Sequence, residues 1–271
     1  MTALAPTGAP RERVRTRIWH EESEPGNAFA TRSALCHGYD VYGDMLGQAR
    51  WVDMLFLLLR GEAPSAGQAR LLETLAVALC NAGPRDAAVH AAMCAGVGGS
   101  TAAAALIAAL SVGAGKAGGA REVWAAMQQF VDCGRSPAAW ERALAAPAVE
   151  RAGIWPQTEH PPGFDPHAAL TSGIVERTLQ VLAPLSVGLC LPWLLQSRAQ
   201  LEAATGRGLA MTGVAAAALL DLGFTPDQGE MLHLLLRLPG AAAHALEQKE
   251  QGHKSFPFFA LDLQDDPGIA A

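Results

Sequence analysis

Most of this sequence is a succession of segments with the spacing and end signals of α-helices. Residues 51–60 are mainly apolar and are followed by Gly61, a residue type that often terminates a helix. Ser65 to Gln68 and Thr225 to Gln228 have the residue types of a capping box, which predicts a helix start at each place. We find no segment that alternates apolar and polar residues as a half-buried strand does. The sequence therefore predicts an all-α protein.

Proline-containing stretches interrupt the helical segments. Residues 153–167, GIWPQTEHPPGFDPH, contain four prolines, which exclude regular structure and predict a linker, a lid or a domain border. Residues 179–195 are apolar, but their two prolines favour two buried helices that meet near Pro184 over a membrane span. The long helical segment that starts at Pro226 is expected to break or bend near Pro239.

Composition argues against several classes of partner. The net charge is −6 and the sequence has no long run of lysine and arginine, so we expect no nucleic-acid partner. The five cysteines include no C-x-x-C pair, which argues against a zinc or thioredoxin-type site, and we expect no metal. Reduced thiols and the lack of signal-peptide organisation near the start predict a cytoplasmic protein with no membrane partner.

The glycine-rich segment 113–123, GAGKAGGAREV, matches the G-x-G-x-x-G pattern of dinucleotide-binding loops. Such a loop needs a β-strand before it, and the preceding TAAAALIAALSV is too long and too rich in alanine for one. A phosphate-binding P-loop needs serine or threonine after Gly-Lys, but Ala117 follows Lys116. We interpret the glycines as the tight corner between two helices, where a Cβ atom would clash.

Five segments of the chain, in order, carry a more specific signal. They are HGYDVYGDMLGQARWVDMLFLLLRGEAPS, GKAGGAREV, PPGFDPH, LAMTGVAAAALLDLGF and LLLRLPGAAAHALEQ. From about Cys36 to Gln251 this order resembles the citrate synthase family, above all its short citryl-CoA lyase-like members. GKAGGAREV resembles the family's H-G-G-A segment, and PPGFDPH resembles a shortened G-F-G-H segment.

The resemblance implies an all-α homodimer whose subunit has a large helical domain and a smaller helical domain that closes over a cleft. By position, residues 1–30 would be a flexible N-terminal tail and 132–206 the small domain. Residues 31–131 and 207–271 would form the large domain, with a C-terminal tail. The implied reaction forms or breaks a carbon–carbon bond between an acetyl-CoA enol and a keto acid. No covalent cofactor is implied, and a CoA thioester would be substrate or ligand.

The family's reaction depends on a carboxylate base and two histidines. The resemblance places Ala117 where the enol-stabilising histidine stands and Thr212 where the base aspartate stands. The second histidine falls in a deletion after Phe164. Two arginines that bind carboxylates correspond to Phe256 and Phe258. These losses predict that ordinary citrate chemistry is absent, although they leave open a new activity.

The candidates for ligand binding lie near these positions. Lys116 is either a solvated lysine or a group that binds an anion. Arg237, on an apolar helix face, either forms a salt bridge with Glu230 or another acid, or binds a ligand anion. Asp165 and Glu122 are either a relocated base or solvated charges. The candidate residues are Lys116, Arg237, Gly118, Gly119, His37, Asp165 and His167, of which His167 could replace the deleted histidine.

Two classes of function follow from these residues. In the first, the protein is an enzyme with altered chemistry on a CoA thioester or on a less charged acid. In the second, it is a catalytically silent binding or partner subunit, a pseudoenzyme that pairs with itself or with an active paralogue. In both, the expected small-molecule partner is an acyl-CoA or a carboxylic acid.

Overall fold

The computed structural model describes residues 15–145 and 160–256 and is mainly helical. The chain divides into two compact units, Met1–Arg70 and Leu71–Ala271. The predicted large and small domains are a different division of the chain, and they stay a prediction. Phe258, residues 1–14 and residues 153–159 of the proline-rich stretch lie outside the described residues.

The N-terminal unit contains an antiparallel sheet that the sequence analysis did not predict. Strands β1 (Trp19–Glu24), β2 (Asn27–Cys36) and β3 (Tyr39–Asp40) lie in the order β1-β2-β3. A π-helix at Val41–Met45 and helix α1 (Trp51–Arg60) follow.

Two expectations are corrected by this sheet. The expectation of no strand is wrong, and residues 19–24 and 27–30 of the predicted flexible tail have regular structure. The apolar alternation is missing because most of the hairpin is exposed and its strands are joined by polar side chains. Arg32 donates to Glu22 across the hairpin at 2.8 Å, and Thr31 donates to Glu21 at 2.9 Å.

The rest of the described chain is helical, which confirms the predicted class. Helix α2 crosses the division between the units, and α3 to α10 belong to the C-terminal unit. Short 3₁₀ turns occur at Ala183–Leu185 and His253–Ser255. The helices are α2 (Ala66–Leu79), α3 (Ala87–Val97), α4 (Ala102–Gly113), α5 (Ala120–Cys133), α6 (Pro137–Ala145), α7 (Gly173–Leu182), α8 (Cys190–Thr205), α9 (Met211–Asp221) and α10 (Pro226–Gln251).

The core of the C-terminal unit is built on small residues that let helices approach closely. Every residue of α9 from Thr212 to Leu219 is buried. Helix α10 contacts α3, α4, α5 and α9. A Cβ atom on Gly96 of α3 would lie 2.3 Å from the carbonyl oxygen of Ala245 of α10, so this crossing requires glycine.

The proline positions confirm the expected pair of helices and correct the expected break in the long helix, whose bend stays a prediction. Helix α7 ends at Leu182 and α8 begins at Cys190, so two helices do meet around Pro184. Helix α10, in contrast, continues through Pro239 without a break. The N–H of Gly240 donates to the carbonyl of Cys80 at 2.7 Å, and buried residues on both sides of the proline keep the helix packed.

None of the helices in residues 15–145 and 160–256 has the length and apolarity needed to cross a bilayer.

Candidate functional site

A cavity of about 460 Å³ opens in the C-terminal unit beside the start of α5. Its walls come from the end of α2, the turn before α5, the segment 164–167, the start of α9 and the middle of α10. Seven of the residues singled out from the sequence line it together. They are Ala117, Gly118, Glu122, Asp165, His167, Thr212 and Arg237.

The glycine-rich turn shapes one wall of this cavity. Gly118 has a φ of +71°, a left-handed conformation that glycine adopts without strain. A Cβ atom on Gly119 would lie 2.5 Å from the carbonyl oxygen of Gly115. Helix α4 ends at Gly113 and α5 begins at Ala120. The predicted tight corner between two helices is therefore confirmed.

Glu122 is a buried carboxylate on the inner wall, with 3% of its surface exposed. Its Oε1 accepts hydrogen bonds from the Gly163 N–H at 3.0 Å and from the Thr212 hydroxyl at 2.7 Å. Its Oε2 accepts one from the Gly118 N–H and lies 3.5 Å from Nε2 of His160. Three donors and the His160 ring thus surround the two oxygens, and the site in the first turn of α5 also suits a negative charge.

This network holds three separate parts of the chain at the cavity. It joins the turn before α5, the segment after residue 160 and the first turn of α9. Glu122 was considered from the sequence as a relocated base, but both of its oxygens already accept hydrogen bonds within the protein. Thr212 is 5% exposed and uses its proton in the same network, and Ala117 has only a methyl group.

Arg237 projects from α10 and is paired within the protein. Its Nη2 forms a close ion pair with Asp86, and its Nη1 donates to the carbonyl of Gly118 at 3.2 Å. Asp86 also caps α3 by accepting from two backbone N–H groups. The expected salt bridge with Glu230 or another acid is thus present. The acid is Asp86, whereas Glu230 pairs with Arg121 at 3.0 Å.

His233 lies one helical turn before Arg237 and lines the same cavity. It is 2% exposed, and neither ring nitrogen has a hydrogen-bond partner among the described residues. Burial, helped by the nearby charge of Arg237, lowers the pKa of His233 to about 3. The imidazole is therefore neutral near pH 7. His233 was not predicted from the sequence, although its place within the apolar run LHLLL was an available signal.

Asp165 and His167 lie at the edge of the cavity. Asp165 Oδ1 accepts hydrogen bonds from the backbone N–H groups of His167 at 2.8 Å and Ala168 at 3.2 Å, an Asx-type turn. His167 is exposed. The histidine that the chain places beside Glu122 is instead His160, which the sequence analysis did not single out.

Comparison with known proteins gives a clear result for the fold. No family model matches the sequence, and no curated protein matches it. Among solved structures, citryl-CoA lyase from Hydrogenobacter thermophilus matches with a TM-score of 0.70 at 17% identity, covering 94% of this chain and 98% of that one. The chain has a citrate synthase-like fold.

Two further structures agree. ATP citrate lyase from Methanothrix soehngenii, solved with citrate and coenzyme A, matches with a TM-score of 0.65 at 17% identity. The match covers 93% of this chain and 43% of that one. Citrate synthase from Thermoplasma acidophilum matches with a TM-score of 0.57 at 15% identity, covering 82% and 59% of the two chains. The fold implied by the sequence resemblance is confirmed.

Within this citrate synthase-like fold, three candidates lie away from the main cavity. Lys116 is exposed and lines a second cavity of about 220 Å³, together with Arg121, Trp124 and His160. Gly119 is buried at the start of α5. His37 lies in the N-terminal unit, with a φ of +48° and a buried Nε2 atom.

The main cavity of this citrate synthase-like protein is acidic. Asp86, Glu122 and Asp165 line it, and Arg237 is the one lysine or arginine among the described residues that do so. Arg237 is already paired with Asp86. No group of three or more histidine, cysteine, aspartate or glutamate residues in the described ranges is arranged to hold a metal ion.

Proposed function

We propose that this protein binds an acyl-CoA or a related thioester and does not form or cleave citrate. The observation that carries the proposal is the pairing of Arg237 with Asp86 in an otherwise acidic cavity. Citrate and oxaloacetate carry several carboxylates, and protein sites hold such groups with unpaired arginines. In this cavity they would instead face Glu122 and Asp165, which repel them.

The hydrogen bonds of the cavity also disfavour the family's proton transfer. A base must have an oxygen or nitrogen within reach of the substrate proton. The oxygens of Glu122 accept from three donors and lie beside the His160 ring, and one of these donors is the neutral hydroxyl of Thr212. The methyl group of Ala117 stabilises no enolate oxygen. These features support a protein that binds its ligand and does not catalyse the formation or cleavage of citrate.

The size and lining of the cavity support an acyl ligand. A volume of about 460 Å³ lies within the range of small-molecule sites. Much of the wall is apolar, with contributions from Leu79, Phe164, Ile174 and Met211. The similar ATP citrate lyase was solved with coenzyme A, which supports a CoA ester as the ligand class.

We expect no citrate turnover. Purified protein is mixed with acetyl-CoA and oxaloacetate, and separately with citryl-CoA, while free CoA and thioester are followed. Both should stay at the level of the protein-free reaction because the described lining of the cavity offers no unpaired lysine or arginine to hold the carboxylates. Citryl-CoA lyase from Hydrogenobacter thermophilus serves as the active control. Turnover proportional to the protein concentration would contradict the proposal.

CoA esters should nevertheless stabilise the protein. A ligand at a hundred times its Kd adds about 2.7 kcal/mol of stability, which corresponds to a rise in Tm of roughly 5–10 °C in a chain of this size. A thermal-shift series with acetyl-CoA and longer acyl-CoA esters tests this, with citrate at matched ionic strength as the comparison. If no CoA ester raises Tm, the ligand class is wrong.

An enzyme with altered chemistry is the second candidate. It is favoured by Asp165 and His167, which line the same cavity and bring a carboxylate and an exposed imidazole to its edge. If the protein consumes a thioester and Asp165→Asn does not, the enzyme with altered chemistry is favoured over the binding subunit. Association as a homodimer, or with an active paralogue, stays a prediction that sedimentation velocity can check.

A further inference from the structure

His233 is the one buried polar side chain on the cavity wall, among the described residues, that lacks a hydrogen bond at every polar atom. Other polar groups there are engaged. Glu122 and Thr212 bind each other, and Arg237 binds Asp86. A buried polar group without a partner is costly and in native proteins is generally satisfied by water or a ligand. His233 lines this cavity, so the cavity is the side from which a partner would approach the imidazole.

We infer that His233 binds a neutral carbonyl group, that of a thioester or an amide, by donating a ring N–H hydrogen bond to its oxygen. No side chain or backbone group in residues 15–145 and 160–256 satisfies this donor, and the cavity beside it has room for an acyl group. The inference rests on the proposed function in that it names which residue holds the acyl ligand. It adds a binding residue that the family resemblance does not supply.

The charges around His233 decide between a neutral and an anionic ligand. Among the described lining residues, the acids are Asp86, Glu122 and Asp165, and the one lysine or arginine is Arg237, which is paired with Asp86. A neutral imidazole adds no positive charge that would offset the desolvation of a carboxylate. A carbonyl oxygen, in contrast, needs only one donor, which a neutral ring supplies.

The lining near His233 fits the rest of an acyl ligand. Leu79, Ile174 and Met211 line the same cavity and offer apolar contact to a chain attached to the carbonyl. Water alone would satisfy the imidazole, but it would leave this apolar wall wet. An acyl group covers both the donor and the wall, so it is favoured over water.

The test uses the ring ¹⁵N signals of the eight histidines in the full chain. Two-bond ¹H–¹⁵N spectra report the tautomer and hydrogen bonding of each imidazole, and His233→Phe identifies the signals of His233. The probes are S-acetyl-N-acetylcysteamine, N-acetylcysteamine and sodium acetate. The first probe should displace the His233 signals in a saturable manner, and acetate should not. If only S-acetyl-N-acetylcysteamine shifts the His233 signals, the carbonyl that His233 binds is that of the thioester. If N-acetylcysteamine shifts them equally, the carbonyl is that of the amide.

Two variants separate binding from folding. His233→Leu should lower the affinity for S-acetyl-N-acetylcysteamine about tenfold because the hydrogen bond is lost. The affinity is measured from the shift of the His167 signals. His233→Gln keeps a donor and should retain part of the affinity. His253→Phe, an exposed position, is the control and should behave as the unchanged protein.

Several outcomes would overturn the inference. They are unmoved His233 signals, equal displacement by acetate, or unchanged affinity in His233→Leu. Its failure is distinguishable from failure of the proposed function. If CoA esters raise Tm equally with and without His233, the function stands and the role of His233 is wrong. If the small probe moves His233 but no CoA ester raises Tm, the role stands and the CoA ligand is wrong.

Discussion

The variant His233→Phe is expected to lose less stability in mild acid than the unchanged protein. The pKa of His233 is lowered to about 3 in the folded protein by burial and by Arg237, whereas an unfolded histidine has a pKa of about 6.5. The unfolded state therefore takes up a proton first as pH falls. The contribution of His233 to stability is fully present above about pH 6.5 and is lost progressively toward about pH 3.

The size of this effect follows from the two pKa values. At about pH 5 the unfolded histidine is almost fully protonated and the folded one is not, so the loss relative to about pH 8 is about 2 kcal/mol. Asp86, Glu122, Asp165, Arg237 and His167 line the same cavity, but they are present in both proteins. Their titration cancels to first order when the two proteins are compared.

The measurement is urea unfolding at about pH 8 and about pH 5 for both proteins. The unchanged protein should lose about 2 kcal/mol more of its unfolding free energy than His233→Phe. The variant His253→Phe removes an exposed histidine and should follow the unchanged protein. Parallel pH dependence in all three proteins would show that His233 is protonated in the folded state or is reached by solvent.

The helical architecture was accessible from sequence because its signals are local. The capping box at Thr225 and the left-handed Gly61 are features of neighbouring residues, and both occur as predicted. The tight corner around Gly119 was recognised in the same way. The hairpin was missed because exposed polar pairs such as Arg32 with Glu22 leave no apolar alternation to detect.

The site was only partly accessible from sequence because its contacts are distant along the chain. The resemblance brought Ala117, Thr212 and Arg237 to one place, and one cavity does contain them. The partner of Arg237 is Asp86, 151 positions away, and no local pattern identifies it. His233 escaped notice because a lone histidine in an apolar helix is usually a core residue with a partner. Only the structure shows that neither nitrogen has a partner in the part of the chain it describes.

Glu122→Ala is expected to cost about 3–5 kcal/mol of unfolding free energy. The carboxylate accepts from Gly118, Gly163 and Thr212 and lies beside His160, so its removal leaves several buried donors without an acceptor. Gly118 lies in the turn next to Glu122, and the other groups lie 38 to 90 positions away along the chain. Loss of the carboxylate therefore also loosens the cavity wall that these segments form. Thr212→Val removes one of these hydrogen bonds and should cost less, about 1–2 kcal/mol.

Hydrogen exchange distinguishes loss of this network from a general loss of stability. In Glu122→Ala the amides of Gly118 and Gly163, which donate to the carboxylate, should exchange faster than those of α10. Glu250→Ala removes an exposed glutamate at the end of α10 and is the control. It should leave the exchange of both amides unchanged and should keep the unfolding free energy within about 0.5 kcal/mol of that of the unchanged protein. The unfolding free energy of Glu122→Ala could lie within about 1 kcal/mol of that of the unchanged protein, with both amides still protected from exchange. In that case other contacts hold the cavity wall. Glu122 would then be an available carboxylate, and the argument against a base in this cavity would fail with it.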